Sequence, residues 1–223
     1  MPAAATAPLP LVVLISGEGS NLQAIIDHAQ RDHDYEVRAV ISNRADAHGL
    51  QRARQANIPT HVLTAAEYPD RAQYDAALSD CLEQYHPSLI VLAGFMRILS
   101  DGFVQRYRDQ LINIHPSLLP KYPGLHTHRR ALAAGDREHG CSVHFVTEAL
   151  DGGPVIAQAR VAVLPNDSEE KLRQRVQLQE HRLYPEVLNW IATGRVKLQD
   201  GRVQFDGAPL TEPKVVNQPA SAS

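Results

Sequence analysis

Cysteine is scarce: the 223 residues contain only Cys81 and Cys141. Two such separated thiols form neither a disulfide framework nor a CxxC metal pair, so a reducing cytoplasm is the expected compartment. No run of about 18 apolar residues occurs, which excludes a membrane-spanning helix. Charge of one sign is also missing. The 22 Lys and Arg against 25 Asp and Glu leave a net charge of −3. No basic field therefore exists for general nucleic-acid binding, and an anionic substrate would have to be held by a local site. The opening MPAAATAPLP lacks a basic segment, so residues 1–10 are expected to form a flexible leader and not a signal peptide. No internal repeat or interdomain linker is visible. The length suits one domain, expected over residues 11–207, with an extended or disordered tail over 208–223.

What is present alternates. LVVLIS (Leu11 to Ser16) is a short apolar run that ends at Gly17-Glu18-Gly19, after which Leu22, Ile25, Ile26 and Ala29 recur at helical spacing. Ser20 is the expected N-cap there, with Gln23 completing a capping box. VRAVIS (Val37 to Ser42), a helical stretch from Asp46 to Gln55 and a short strand near His61 to Leu63 repeat the pattern. Tyr74, Ala77, Leu78, Cys81, Leu82 and Tyr85 make a helical stripe, and SLIVLAG (Ser88 to Gly94) reads as a strand buried on both faces. LINIH (Leu111 to His115) is a further strand, followed by a helical segment near His128 to Ala134. CSVHFVTE (Cys141 to Glu148) and VIAQARVAV (Val155 to Val163) have no helix between them and are expected to be antiparallel. Ser168 caps a long helix that Pro185 should bend, and VKLQDGRVQF is a hairpin signal. The fold class is therefore α/β and Rossmann-like: a mostly parallel open sheet with helices on both faces, and antiparallel strands and a hairpin toward the C-terminus.

Three groups of residues carry chemistry. Gly17-Glu18-Gly19-Ser20-Asn21 joins a strand to a helix, where close backbone approach and free N–H groups suit a phosphate. It is neither a P-loop nor a full GxGxxG, and a tight turn without a ligand explains it equally well. If a phosphate binds, Glu18 must point away from it. Asn113 and His115 lie two apart on a strand and project from one face, so an amide donor and an imidazole can meet one reacting atom. Asp151, in the turn Leu150-Asp151-Gly152-Gly153-Pro154, is placed to orient that imidazole, although Asp beside Gly-Gly is also ordinary turn chemistry. His115, His126, His128 and Asp151 offer ligand atoms, but no HExxH or cysteine pair accompanies them, so no metal is expected. Ser117 has no GxSxG elbow.

ISGEGSNLQAIID, AGFMRILS, NIHPSLLPKYPGLHTHRRAL, HGCSVHFVTEALDGGPVIAQ and RVQLQEHRLYP, in this order, resemble the signature blocks of the phosphoribosylglycinamide formyltransferase family, from about Leu11 to Gly194. The asparagine, histidine and SLLP are shared with the wider formyltransferase superfamily. The extended PKYPGLHTHRRAL block and GxGSNLQ favour the glycinamide ribonucleotide enzymes over methionyl-tRNA formyltransferase and formyltetrahydrofolate hydrolase, whose added domains are not expected here. The resemblance implies formyl transfer from 10-formyltetrahydrofolate to the amine of 5-phosphoribosylglycinamide, without a metal or a covalent enzyme intermediate. It makes Asn113, His115 and Asp151 catalytic. It assigns Gly19, Ser20 and Asn21 to the substrate phosphate and Glu180 to the glycinamide or ribose end. Arg71, Met96, Arg97, Ile98 and Leu99 correspond to the folate pocket, with the backbone of Thr147, Glu148, Ala149, Leu150 and Asp151 around the pterin. Lys121 falls beside the reaction centre. The implied partners are small molecules, with no nucleic acid or membrane, in a cytoplasmic monomer or homodimer.

Overall fold

The computed structural model describes residues 7–216, so most of the expected leader (1–6) and the end of the expected tail (217–223) lie outside the described residues. The first strand, β1 (Leu9–Ile15), leads into helix α1 (Ser20–Asp32), and the chain continues through β2 (Tyr35–Ser42), α2 (Gly49–Gln55) and β3 (Thr60–Val62). It then forms α3 (Arg71–Glu83), β4 (Leu89–Leu92), α4 (Asp101–Arg106) and β5 (Leu111–His115). Next come α5 (Thr127–Ala133), β6 (Glu138–Phe145), β7 (Val155–Ala162) and α6 (Glu169–Ala192). Four short strands close the described chain: β8 (Val196–Gln199), β9 (Arg202–Phe205), β10 (Ala208–Pro209) and β11 (Lys214–Val215).

The eight-stranded sheet has the order β11-β7-β6-β5-β4-β1-β2-β3. β1 pairs in parallel with both β2 and β4, and β5 is parallel to β4, whereas β6 is antiparallel to β5 and to β7. The chain first winds outward from β1 to β3 and then returns to build the other half from β4. The strand order therefore reverses between β1 and β4, and a crevice opens beyond their carboxyl ends, where open α/β sheets bind ligands. The loops after β1 and β4 meet there.

Burial explains the sequence of β1. Leu11 to Ile15 are fully buried and feed two cores. Leu11, Val13 and Ile15 pack with α1, α2 and α6, and Val12 and Leu14 pack with α3 and α4. Burying each such side chain is worth about 1.5–3 kcal/mol, which is why a strand covered by helices on both faces is apolar at every position.

Local chemistry changed several expected boundaries. Gly19 caps α1 in the left-handed conformation with φ 72°, and no side chain caps the helix. Ser20 is its first residue, and its Oγ accepts from Gln177 Nε2 at 2.9 Å, so the expected capping box does not form. Gln23 turns to Asp27 instead. The helical stretch expected from Asp46 begins only at Gly49. α4 was not anticipated. Its cap Ser100 accepts from the Phe103 N–H, but six residues are too few to show a period. Ser168 caps α6 as expected, and α6 runs 24 residues through a buried Pro185. Between Ala208 and Val216, β10 pairs with β9 and β11 runs parallel to β7.

Candidate active site

Asn113 and His115 stand on β5, which the antiparallel register sets opposite β6, with Asn113 facing His144 and His115 facing Ser142. The Asn113 Nδ2 donates to His144 Nε2 at 3.2 Å. His144 Nδ1 in turn donates to the Phe145 carbonyl at 2.9 Å. That chain defines the tautomer of His144 and the orientation of the Asn113 amide, leaving its second N–H for a ligand. Burial holds the His144 imidazole below its ordinary pKa, which keeps it neutral and able to accept.

The turn between β6 and β7 carries Asp151 in a left-handed conformation, φ 50°, that aspartate tolerates. One carboxylate oxygen lies 3.4 Å from His115 Nδ1 and the other 3.8 Å from His144 Nε2. The first of these also accepts the Gly124 N–H at 2.8 Å. His115 Nε2 donates to the Tyr122 carbonyl at 2.9 Å. Both ring nitrogens of His115 thus face acceptors. The loop from Pro116 to His126 covers this cluster, and the side chains of His115 and Asp151 are less than one-tenth exposed.

The loop after β1 forms a second centre. Asn21 Nδ2 donates to Glu180 Oε2 at 2.9 Å. Glu180 is buried on α6, and desolvation raises its carboxyl pKa while the Asn21 bond opposes that rise. Glu18 points away from the loop's N–H side, as a phosphate there would require, and pairs with Arg52 at 2.7 Å and His48 at 3.2 Å.

The expected folate residues divide by position. Ser16 Oγ accepts the Met96 N–H at 2.7 Å, which ties the end of β1 to the loop after β4. In that loop Arg97 lies over the Tyr74 ring at 4.0 Å, Arg71 donates to the Leu99 carbonyl, and Leu99 is buried. Met96 and Ile98 are 70% and 66% exposed, a large apolar surface at the crevice mouth. Thr147 to Leu150 form the turn ahead of Asp151, with Leu150 beside Gly124. Arg71, Met96, Arg97 and Leu99 are drawn together, and Leu150 sits instead by the loop over His115. Lys121 pairs with Asp136 at 3.1 Å, turned to the surface.

Residues 9–188 match the model of the family described as formyl transferase. The chain belongs to the formyl transferase family. The phosphoribosylglycinamide formyltransferase of Escherichia coli (strain K12) is 58% identical over 201 residues, which cover 90% of this chain and 95% of that one. The corresponding protein of Haemophilus influenzae (strain ATCC 51907 / DSM 11121 / KW20 / Rd) is 46% identical over 209 residues, covering 93% of this chain and 99% of that one. A solved phosphoribosylglycinamide formyltransferase from Coxiella burnetii superposes with a TM-score of 0.90 at 56% identity, covering 93% of this chain and 99% of that one.

Sequence reasoning missed three residues of this candidate site. His144 was legible in principle, as a polar residue in the apolar strand CSVHF that antiparallel pairing brings opposite Asn113. Ser16 and Gln177 gave no signal, because each acts through a contact across the fold. Among the described residues, no group of three or more His, Cys, Asp or Glu is arranged to hold a metal ion, and no helix is long and apolar enough to cross a membrane. His126 caps α5 with φ 59°, and buried His128 stacks edge-on to His139 at 5.1 Å.

That histidine pair makes the stability of this formyl transferase depend on pH. Burial and the neighbouring His128 lower the His139 pKa to about 4, and burial also lowers that of His128. The Nε2 atoms of both rings are buried without an acceptor among the described residues, so a proton there has no partner. Asp136 only partly offsets this for His139. The unfolded chain takes up these protons near pH 6.5 and the folded chain does not. Stability is therefore complete above pH 6.5 and falls as the pH drops toward 4. His139 alone should account for about 2 kcal/mol after allowance for screening. Urea midpoints between pH 7.5 and 4.5 should show the decline, and His139→Phe should flatten it.

Proposed function

We propose that this chain transfers the formyl group of 10-formyltetrahydrofolate to the amine of 5-phosphoribosylglycinamide. The observation that carries the proposal is the 3.4 Å approach of Asp151 to His115 beside an Asn113 amide with one N–H to spare. The amine attacks the formyl carbon, and the carbonyl becomes an oxyanion. Asn113 donates its second N–H to that oxygen, and the oxygen replaces the Tyr122 carbonyl at His115 Nε2. Asp151 stabilises the imidazolium. A proton passes from the attacking nitrogen to the folate nitrogen, the carbon–nitrogen bond to folate breaks, and formylated ribonucleotide and deformylated folate leave. His144 is a positioning residue for the Asn113 amide. The N–H groups of Gly19, Ser20 and Asn21 hold the substrate phosphate, and Glu180, protonated more readily than an exposed carboxyl, engages the ribose or glycinamide end. Arg71, Met96, Arg97, Ile98 and Leu99, with the backbone of Thr147 to Asp151, surround the folate. We further infer a cytoplasmic monomer or homodimer that acts on small molecules, without a metal.

The test is a spectroscopic assay of deformylated folate. Release that requires both 10-formylfolate and the ribonucleotide is the expected result. Release without the ribonucleotide would mean hydrolysis, and no release with both present would remove the proposal.

A further inference from the structure

The loop proposed to hold the phosphate is shaped by a residue outside it. Three consecutive carbonyls of this loop are already engaged. The Gly17 carbonyl accepts from the Gly49 N–H at 3.0 Å, that of Glu18 from Arg52 Nε at 2.9 Å, and that of Gly19 from the Gln23 N–H at 2.9 Å. The N–H groups of Gly19, Ser20 and Asn21 have no backbone acceptor among the described residues. Carbonyl oxygens repel an anion and N–H groups attract it, so a loop binds phosphate only when its carbonyls are turned away. Here α2 turns two of the three, those of Gly17 and Glu18. Its start lies so close that a Cβ on Gly19 would come within 2.5 Å of the Gly49 Cα.

Arg52 is the only side chain among these three donors. Its Nε holds the Glu18 carbonyl, and its Nη2 holds the carboxylate of the same residue at 2.7 Å. His48 Nδ1 meets that carboxylate at 3.2 Å. The Arg52 hydrogen bond lowers the Glu18 pKa most, and His48 adds to it. The carboxylate is thereby neutralised and kept on the α2 side, where it does not oppose a dianion. We infer that Arg52, locked by Glu18, is a positioning residue for the substrate phosphate: it orients the loop without belonging to it. This rests on the phosphoribosyl substrate proposed above.

The experiment compares Arg52→Met, Arg52→Lys and the unchanged protein by steady-state kinetics, with inorganic phosphate as a competitive inhibitor. Turnover of the ribonucleotide by the unchanged protein is the control, and its absence would count against the proposed activity and not against Arg52. Arg52→Met should raise the KM for the ribonucleotide about tenfold or more, weaken phosphate inhibition by the same factor, and leave kcat and the folate KM within about twofold. Arg52→Lys keeps the charge and the stem but not the rigid fork, so it should recover the KM only in part. It also decides the matter should Arg52→Met fail to fold. An unchanged KM in Arg52→Met, full recovery in Arg52→Lys, or a parallel loss of kcat and both KM values would overturn the inference.

Discussion

Asn113→Ala is expected to lower kcat about a hundredfold or more, because losing one oxyanion donor costs about 2.7–4 kcal/mol. The change should fall on kcat and kcat/KM together, the pattern of a contact made only in the transition state. Folding should survive. Asn113 is half-buried in the middle of β5, and alanine leaves the strand pairing to Leu92 and His144 intact. Among the described residues, the only side-chain hydrogen bond it breaks is the 3.2 Å contact to His144. His115→Ala should cost at least as much, since it removes a donor and strands the Asp151 carboxylate, buried with His115. The double variant should lose less than the product of the two single losses, as groups acting as one unit do. Single-turnover rates with both substrates saturating check this, with a thermal melt to show that each variant is folded. Near-normal turnover in either single variant would remove that residue from the mechanism.

The fold and the site were legible to different extents, for physical reasons. Strands such as Leu11 to Ile15 announce themselves because double-sided burial forbids polar residues. The long α6 shows its Ser168 cap and its period. Asn113 and His115 were readable together because a strand's period of two is local. The reach of Asp151 to His115 is not local: the 35 residues from Pro116 to Leu150, of loop, helix and strand, must return before the two meet. The turn chemistry offered that pairing among ordinary turn roles and the family resemblance singled it out; in the structure the two side chains lie 3.4 Å apart. The Ser20 capping box failed because two local solutions competed. Gly19 with a positive φ ends the loop as well as a hydroxyl would, which frees Ser20 for Gln177 across the fold. α4 was invisible because six residues show neither period nor moment.

Gly153→Ala should be among the most damaging substitutions in the chain, although no reacting atom touches it. A Cβ built there would lie 1.9 Å from the Phe145 carbonyl oxygen, 2.9 Å from its carbon and 3.3 Å from Thr147 Cγ2. Neither side can yield cheaply. The Phe145 N–H donates to the Pro154 carbonyl at 3.0 Å, so the two segments are bonded where they would have to part. The backbone of Phe145 also pairs with Ile112 on β5, and its carbonyl accepts from His144 Nδ1. The turn must therefore lift, and Asp151, two residues away, lifts with it. Overpacking against backbone costs about 3 kcal/mol, which in a domain of this size lowers Tm by roughly 6–12 °C. The loss of kcat should exceed what the unfolded fraction explains, because separating Asp151 from His115 leaves the imidazole without its counter-charge. Gly102→Ala is the matched control. It lies in α4 with nothing within 4 Å of its Cβ, so it should leave activity unchanged and gain about 0.5–1 kcal/mol from helix propensity. Thermal melts and kcat measured well below either Tm separate the two effects. A Gly153→Ala protein as stable and active as the control would show that the turn bearing Asp151 is not held against Phe145.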